Sequence, residues 1–72
     1  MKTNEIFSSR LKTLMIKRKL KQIDFVKKLD IPSSTINYYF NGKCTPKIDS
    51  LLKICKALDT TPNYLLGFDK DE

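Results

Sequence analysis

Five short stretches of helical periodicity, each cut off by a breaker, constrain this chain more than any other feature. Ile6, Phe7, Leu11, Leu14 and Met15 recur at the spacing of one helix face. Thr3 and Asn4 are the N-cap candidates for this first helix, which should end near residues 18 to 20. A second, two-turn helix fits residues 22 to 29, with Ile23, Phe25, Val26 and Leu29 as its apolar positions. Asp24 suits its first turn and Lys27 and Lys28 its last, because the helix dipole favours acids at the start and bases at the end. Asp30-Ile31-Pro32 then breaks the pattern, since proline cannot continue a helix but can sit in the first turn of a new one. In that third helix Ile36, Tyr39 and Phe40 form an apolar stripe, and Ser33, Ser34, Asn37, Tyr38 and Asn41 form the opposite, uncharged polar one. Asn41-Gly42 is a stop, with Gly42 able to take a left-handed conformation. After a loop from Lys43 to Pro46, Ile48, Leu51, Leu52, Ile54, Cys55 and Leu58 define a fourth helix, read as strongly apolar. Thr61 and Pro62 then read as N-cap and first residue of a short fifth helix closed by Gly67. No strand-like alternation, repeat or low-complexity segment occurs, so the expected class is all-α.

At 72 residues the chain has room for one core, expected over residues 1 to 67, with 68 to 72 as an acidic tail or the start of a linker. The charge is unevenly placed. Residues 1 to 56 hold 13 Lys and Arg against 4 acids, whereas from residue 57 onward Lys70 faces Asp59, Asp69, Asp71 and Glu72. Between Glu5 and Asp24 there are six bases (Arg10, Lys12, Lys17, Arg18, Lys19 and Lys21) and no acid; between Asp30 and Asp49 there is again no acid. A one-sided field of this kind favours a polyanion, although charge alone fits an ordinary solvated lysine-rich surface equally well.

Several function classes are disfavoured by what the chain lacks. There is no histidine, and Cys44 and Cys55 are only two thiols, so no four-ligand zinc site can be assembled from thiolates and imidazoles. Cys55 reads as a small core residue and Cys44 as a loop thiol. No metal or other cofactor is expected. With no glycine-rich phosphate loop and no paired carboxylates on one helix face, neither an enzyme nor a small-molecule substrate is expected. Apolar runs of three or four residues cannot span a bilayer, no signal peptide is apparent, and the expected location is the cytoplasm. A membrane-surface module would need its apolar residues on one exposed stripe, whereas here they are needed to bury helices against one another.

Two short helices joined by about three residues, the second with an uncharged polar face, match what insertion into a DNA major groove demands: side chains that hydrogen-bond base edges and no carboxylate facing phosphates. Leu20-Lys21-Gln22-Ile23-Asp24-Phe25-Val26, Ile31-Pro32-Ser33-Ser34-Thr35-Ile36, Asn41-Gly42-Lys43, Pro46, Leu58 and the closing Tyr64-Leu65-Leu66-Gly67 resemble the Cro/repressor-type helix-turn-helix family over roughly residues 10 to 67. The resemblance implies a five-helix, lambda-repressor-like DNA-binding domain whose helix-turn-helix is formed by the second and third helices. It implies a sequence-specific regulator of transcription, a repressor in the first instance, acting on double-stranded DNA as a homodimer. An antitoxin, an activator, a protein-interaction module of the same fold and the N-terminal part of a longer regulator stay open. By the same resemblance Ser33, Ser34, Asn37 and Tyr38 fall on base-reading positions, and Lys21, Gln22, Thr35, Asn41 and Lys43 on phosphate-binding ones. Taken singly, Gln22 is equally a polar residue near a helix start, and Ser33 and Ser34 are equally caps.

Two departures stand out. Many family members carry Glu where Phe40 stands and Arg where Met15 stands, paired between the first and third helices; here both positions are apolar. Exchanging both partners of a buried ion pair for apolar groups is tolerated, whereas exchanging one strands a charge, so Met15 is expected to pack against Phe40. Pro32 replaces the usual Ser or Thr cap, which leaves Ser33 as either cap or reader. The apolar residues Pro62, Tyr64, Leu65 and Phe68 are expected either to close the core or to form part of a dimer contact.

Overall fold

The computed structural model describes residues 2–69 and contains five helices: α1 Thr3–Lys17, α2 Gln22–Leu29, α3 Ser33–Phe40, α4 Ile48–Leu58 and α5 Pro62–Leu65. No strand occurs among the described residues, and no helix there is long and apolar enough to cross a membrane. Of the tail expected over 68 to 72, residues 70–72 lie outside the described residues.

Each helix end has a local cause. The N-cap of α1 is Lys2, whose backbone N–H donates to the Glu5 carboxylate at 3.4 Å. Thr3 and Asn4 are therefore not caps but first-turn residues, and the Asn4 amide is used in a tertiary contact instead. At the start of α2 the Asp24 carboxylate accepts the Lys21 backbone N–H at 3.3 Å, and at its end Asp30 turns left-handed (φ 54°). Pro32 occupies the N-cap position of α3 and its carbonyl accepts from Thr35 and Ile36, so Ser33 and Ser34 belong to the first helical turn rather than to the cap. Gly42 (φ 68°) closes α3, where the Lys43 N–H returns to the Tyr38 carbonyl at 3.0 Å. Thr61 caps α5 by accepting the Tyr64 N–H at 3.3 Å, with Pro62 as the first helical residue.

Around one core, α1 packs on α3 and α5, α2 on α3 and α4, and α4 on α5. Phe7, Leu11 and Leu14 of α1 meet Phe25, Ile36, Ile54, Leu58 and Leu65, all essentially inaccessible to solvent. Burial of each such side chain contributes roughly 1.5 to 3 kcal/mol. Phe7 meets Tyr39 edge to face, with ring centroids 5.9 Å apart. Met15 is buried and Phe40 half-buried against the core, the two lining one hollow. Cys55 is buried, Cys44 is half-buried, and both thiols are free.

The expected apolar face of α4 is narrower than its sequence suggests. Ile48 (76% exposed) and Leu52 (46% exposed) point away from the core that Ile54, Cys55 and Leu58 enter. Their four-residue spacing puts them on one face of the helix, but no helix among the described residues packs over that face. Gly67 is tightly constrained: at φ 83° a Cβ would sit 2.8 Å from Cγ2 of Ile6.

Candidate nucleic-acid interface

The short connection between α2 and α3 is rigidly seated. Asp30 makes the left-handed turn, its N–H donates to the Val26 carbonyl, and Ile31 is buried in the core. With Ile36 and Tyr39 turned inward, α3 presents Ser33, Ser34, Asn37 and Tyr38 to solvent. Tyr38 is 53% exposed, whereas its neighbour Tyr39 is buried. Lys21, Gln22, Asn41 and Lys43 are also exposed, and Thr35 is half-buried on α3.

One hydrogen bond joins the two groups of expected site residues: Nε2 of Gln22 donates to Oδ1 of Asn37, tying the start of α2 to the middle of α3. A primary amide nitrogen carries two hydrogens, so Gln22 keeps one N–H for another acceptor while it holds Asn37. No side chain caps the first turn of α2 or of α3. The first turn of α3 therefore leaves backbone N–H groups and the positive end of a helix dipole available to an anion, whereas at α2 the Asp24 carboxylate already sits at that end.

Asn4, read from the sequence only as a cap, and Ser8, which sequence reasoning did not single out, hold the far end of α3. Asn4 of α1 donates through Nδ2 to the Gly42 carbonyl, and Oγ of Ser8 donates to the Phe40 carbonyl at 2.5 Å. These bonds satisfy carbonyls that α3 leaves unpaired at its C-terminus and set its height above the core. The signal was faint: a polar pair four residues apart, with Ser8 interrupting the otherwise apolar face of α1.

The two arginines of the basic half are engaged in tertiary contacts. Nη1 of Arg10 donates to the carbonyls of Tyr64 (2.8 Å) and Asp69, and its guanidinium lies 4.6 Å from the centre of the Tyr64 ring. Nη2 of Arg18 donates to the Asp59 carbonyl at 3.2 Å, beyond the end of α4. Arg10 thus braces the segment from α5 onward and Arg18 the end of α4, and Lys12, Lys19, Lys21 and Lys43 carry exposed charge near the two helices. Burial pushes the Tyr39 phenol above its ordinary pKa; Cys44 adds to the shift and a hydrogen bond with Ser50 partly offsets it. Burial likewise raises the Cys55 thiol.

Two short helices across a fixed turn, the second with an exposed polar face free of carboxylates, define a helix-turn-helix DNA-binding domain. This chain belongs to the Cro/C1-type HTH DNA-binding domain family, whose pattern matches residues 10–71. It is also similar to the 26 kDa repressor protein of Escherichia phage HK022, at 32% identity over 75 aligned residues covering 99% of this chain. The chain spans about a third (32%) of the length of that relative. No solved structure matches it. The five-helix, all-α architecture is that of a lambda-repressor-like DNA-binding domain.

Proposed function

We propose that this protein is a sequence-specific repressor of transcription that reads the DNA major groove with α3. The observation that carries the reading is the outer face of α3: four exposed side chains able to hydrogen-bond base edges, with no acid between Asp30 and Asp49 to repel phosphate. Ser33, Ser34, Asn37 and Tyr38 contact bases, Tyr38 also offering a ring face to a thymine methyl or a sugar. Lys21, Gln22, Thr35, Asn41 and Lys43 hold the sugar-phosphate chain on either side. The Gln22 to Asn37 hydrogen bond makes clamp and reader one unit, because the second Gln22 N–H is available to a phosphate. The similarity to a phage repressor supports the direction of regulation.

The folded domain is assigned to residues 1–67, with 68–72 as an acidic tail or linker. It acts on DNA as a twofold pair, which places two recognition helices about 34 Å apart on successive major grooves. The surface for that pairing is smaller than the apolar residues of the fifth helix suggested: Leu65 is fully buried and Tyr64 is half-buried beneath Arg10, leaving Phe68 (82% exposed) and Leu66 (39% exposed) for a partner.

Selection from a random-sequence duplex pool at near-physiological salt tests this function. Enrichment of an inverted repeat with half-sites about one helical turn apart is the expected result, with affinity falling steeply as salt rises. Salt-sensitive retention with no enriched sequence would reduce the protein to a non-specific polyanion binder.

A further inference from the structure

Two exposed isoleucines flank Gln22, in a place where a DNA-facing surface is ordinarily polar. Ile23 (60% exposed) lines an open hollow of about 450 Å³ with Gln22, Val26 and Ser33. Ile16 (79% exposed) lines a second, of about 300 Å³, with Lys12, Met15, Leu20, Gln22 and Phe40. Gln22 is the wall that the two hollows share. No carboxylate lines either one, Lys12 stands at the rim of the second, and Lys21 adjoins Gln22 in sequence. The nearest acid along the chain, Asp24, has its carboxylate on the Lys21 backbone N–H.

A phosphate in a nucleic acid strand is flanked by two sugars. A phosphate held by the free side-chain N–H of Gln22 and by the Lys21 ammonium therefore brings one sugar ring to each side of Gln22. Both sides are apolar and concave. We propose that these hollows seat the two deoxyriboses next to the phosphate held by Gln22, and that Ile16 and Ile23 thereby select deoxyribose over ribose. The C2′ methylene of deoxyribose is compatible with an isoleucine wall. A 2′-hydroxyl, the group by which proteins distinguish RNA from DNA, would be pressed against the wall without a hydrogen-bond partner. Lys12 and Lys21 supply the charge complementarity that draws the backbone in.

This inference rests on the DNA-reading function above, and its test separates the two. A selected duplex is doped with single ribonucleotides along each strand, and the bound and free fractions are compared position by position. The expected result is depletion of about tenfold at two adjacent nucleotides in each half-site, the size expected for an unpaired buried hydroxyl, and little change elsewhere. Ile16→Gln should relieve one of the two positions and Ile23→Gln the other. Both side chains are exposed, so both variants should melt with the wild type. A flat ribonucleotide profile on an enriched site overturns the inference and leaves the DNA-reading function standing, as does a depletion that neither variant relieves. Absence of any duplex binding overturns both.

Discussion

The scaffold of α1, α4 and α5 and the pair α2 and α3 are built on different principles. In the scaffold, Phe7, Leu11, Leu14, Ile54, Leu58 and Leu65 are all sealed from solvent, and Arg10 and Arg18 are drawn in to brace the ends of α5 and α4. The α2 and α3 pair contributes Phe25, Leu29, Ile31, Ile36 and Tyr39 to the same core, but the outer face of α3 is left to Ser33, Ser34, Asn37 and Tyr38, with Asn37 hydrogen-bonded to Gln22 of α2. Stability and recognition thus occupy opposite sides of the same eight-residue helices. The two properties should separate cleanly on mutation.

The largest effect should come from the scaffold. Leu14→Ala opens a cavity at a fully buried position and should cost about 2 to 5 kcal/mol, enough to unfold much of so small a domain, as urea denaturation would show. At the seam between the regions, Phe40→Glu would place a carboxylate against buried Met15 without the basic partner that many relatives carry there. A loss of about 1 to 3 kcal/mol is expected in the same assay, and a variant as stable as wild type would show that the apolar pair is not needed.

On the reading face the effect should move from stability to binding. Tyr38→Ala should shift the unfolding free energy by no more than about 0.5 kcal/mol, the usual range for surface changes, while lowering discrimination between the selected site and its variants by about tenfold. Unchanged discrimination in competition binding would remove Tyr38 from the set of readers.

The smallest effect concerns pH. Tyr39 and Cys55 both have raised pKa values in the folded state, so the neutral form of each is favoured by folding. Their contributions are complete at neutral pH and are lost as pH rises, beginning near the unfolded thiol value of about 8.5 and continuing past the unfolded phenol value of about 10. Melting temperature should therefore be level around pH 7 and fall in the alkaline range. Cys55→Ala would sharpen the comparison by deleting the earlier of the two phases.

Much of the fold was legible because its determinants are local. The periodicity of Ile23, Phe25, Val26 and Leu29 and the break at Pro32 placed α2 and the turn after it, and Thr61 with Pro62 placed α5. The same reasoning failed at Thr3 and Asn4, where two adjacent cap-forming residues competed with a carboxylate at Glu5 that could reach back to Lys2. It also failed at Ile48 and Leu52, since periodicity tells which residues share a face but not whether another helix covers it. The candidate site was legible as a set of positions on one helix stripe and a flanking loop. Its wiring was not.

By itself the sequence determined which segments are helical and where the breaks between them fall, which stripe of α3 is polar, and that its exposed side carries no acid. These follow from backbone sterics and from spacing within about four residues. Only the tertiary structure decided that Asn4 and Ser8 hold the end of α3, that Gln22 is bonded to Asn37, that Arg10 and Arg18 brace the ends of α5 and α4, and that Ile16 and Ile23 stay exposed beside Gln22. Each of these depends on how whole helices dock, and docking is set by the summed fit of a core drawn from all five.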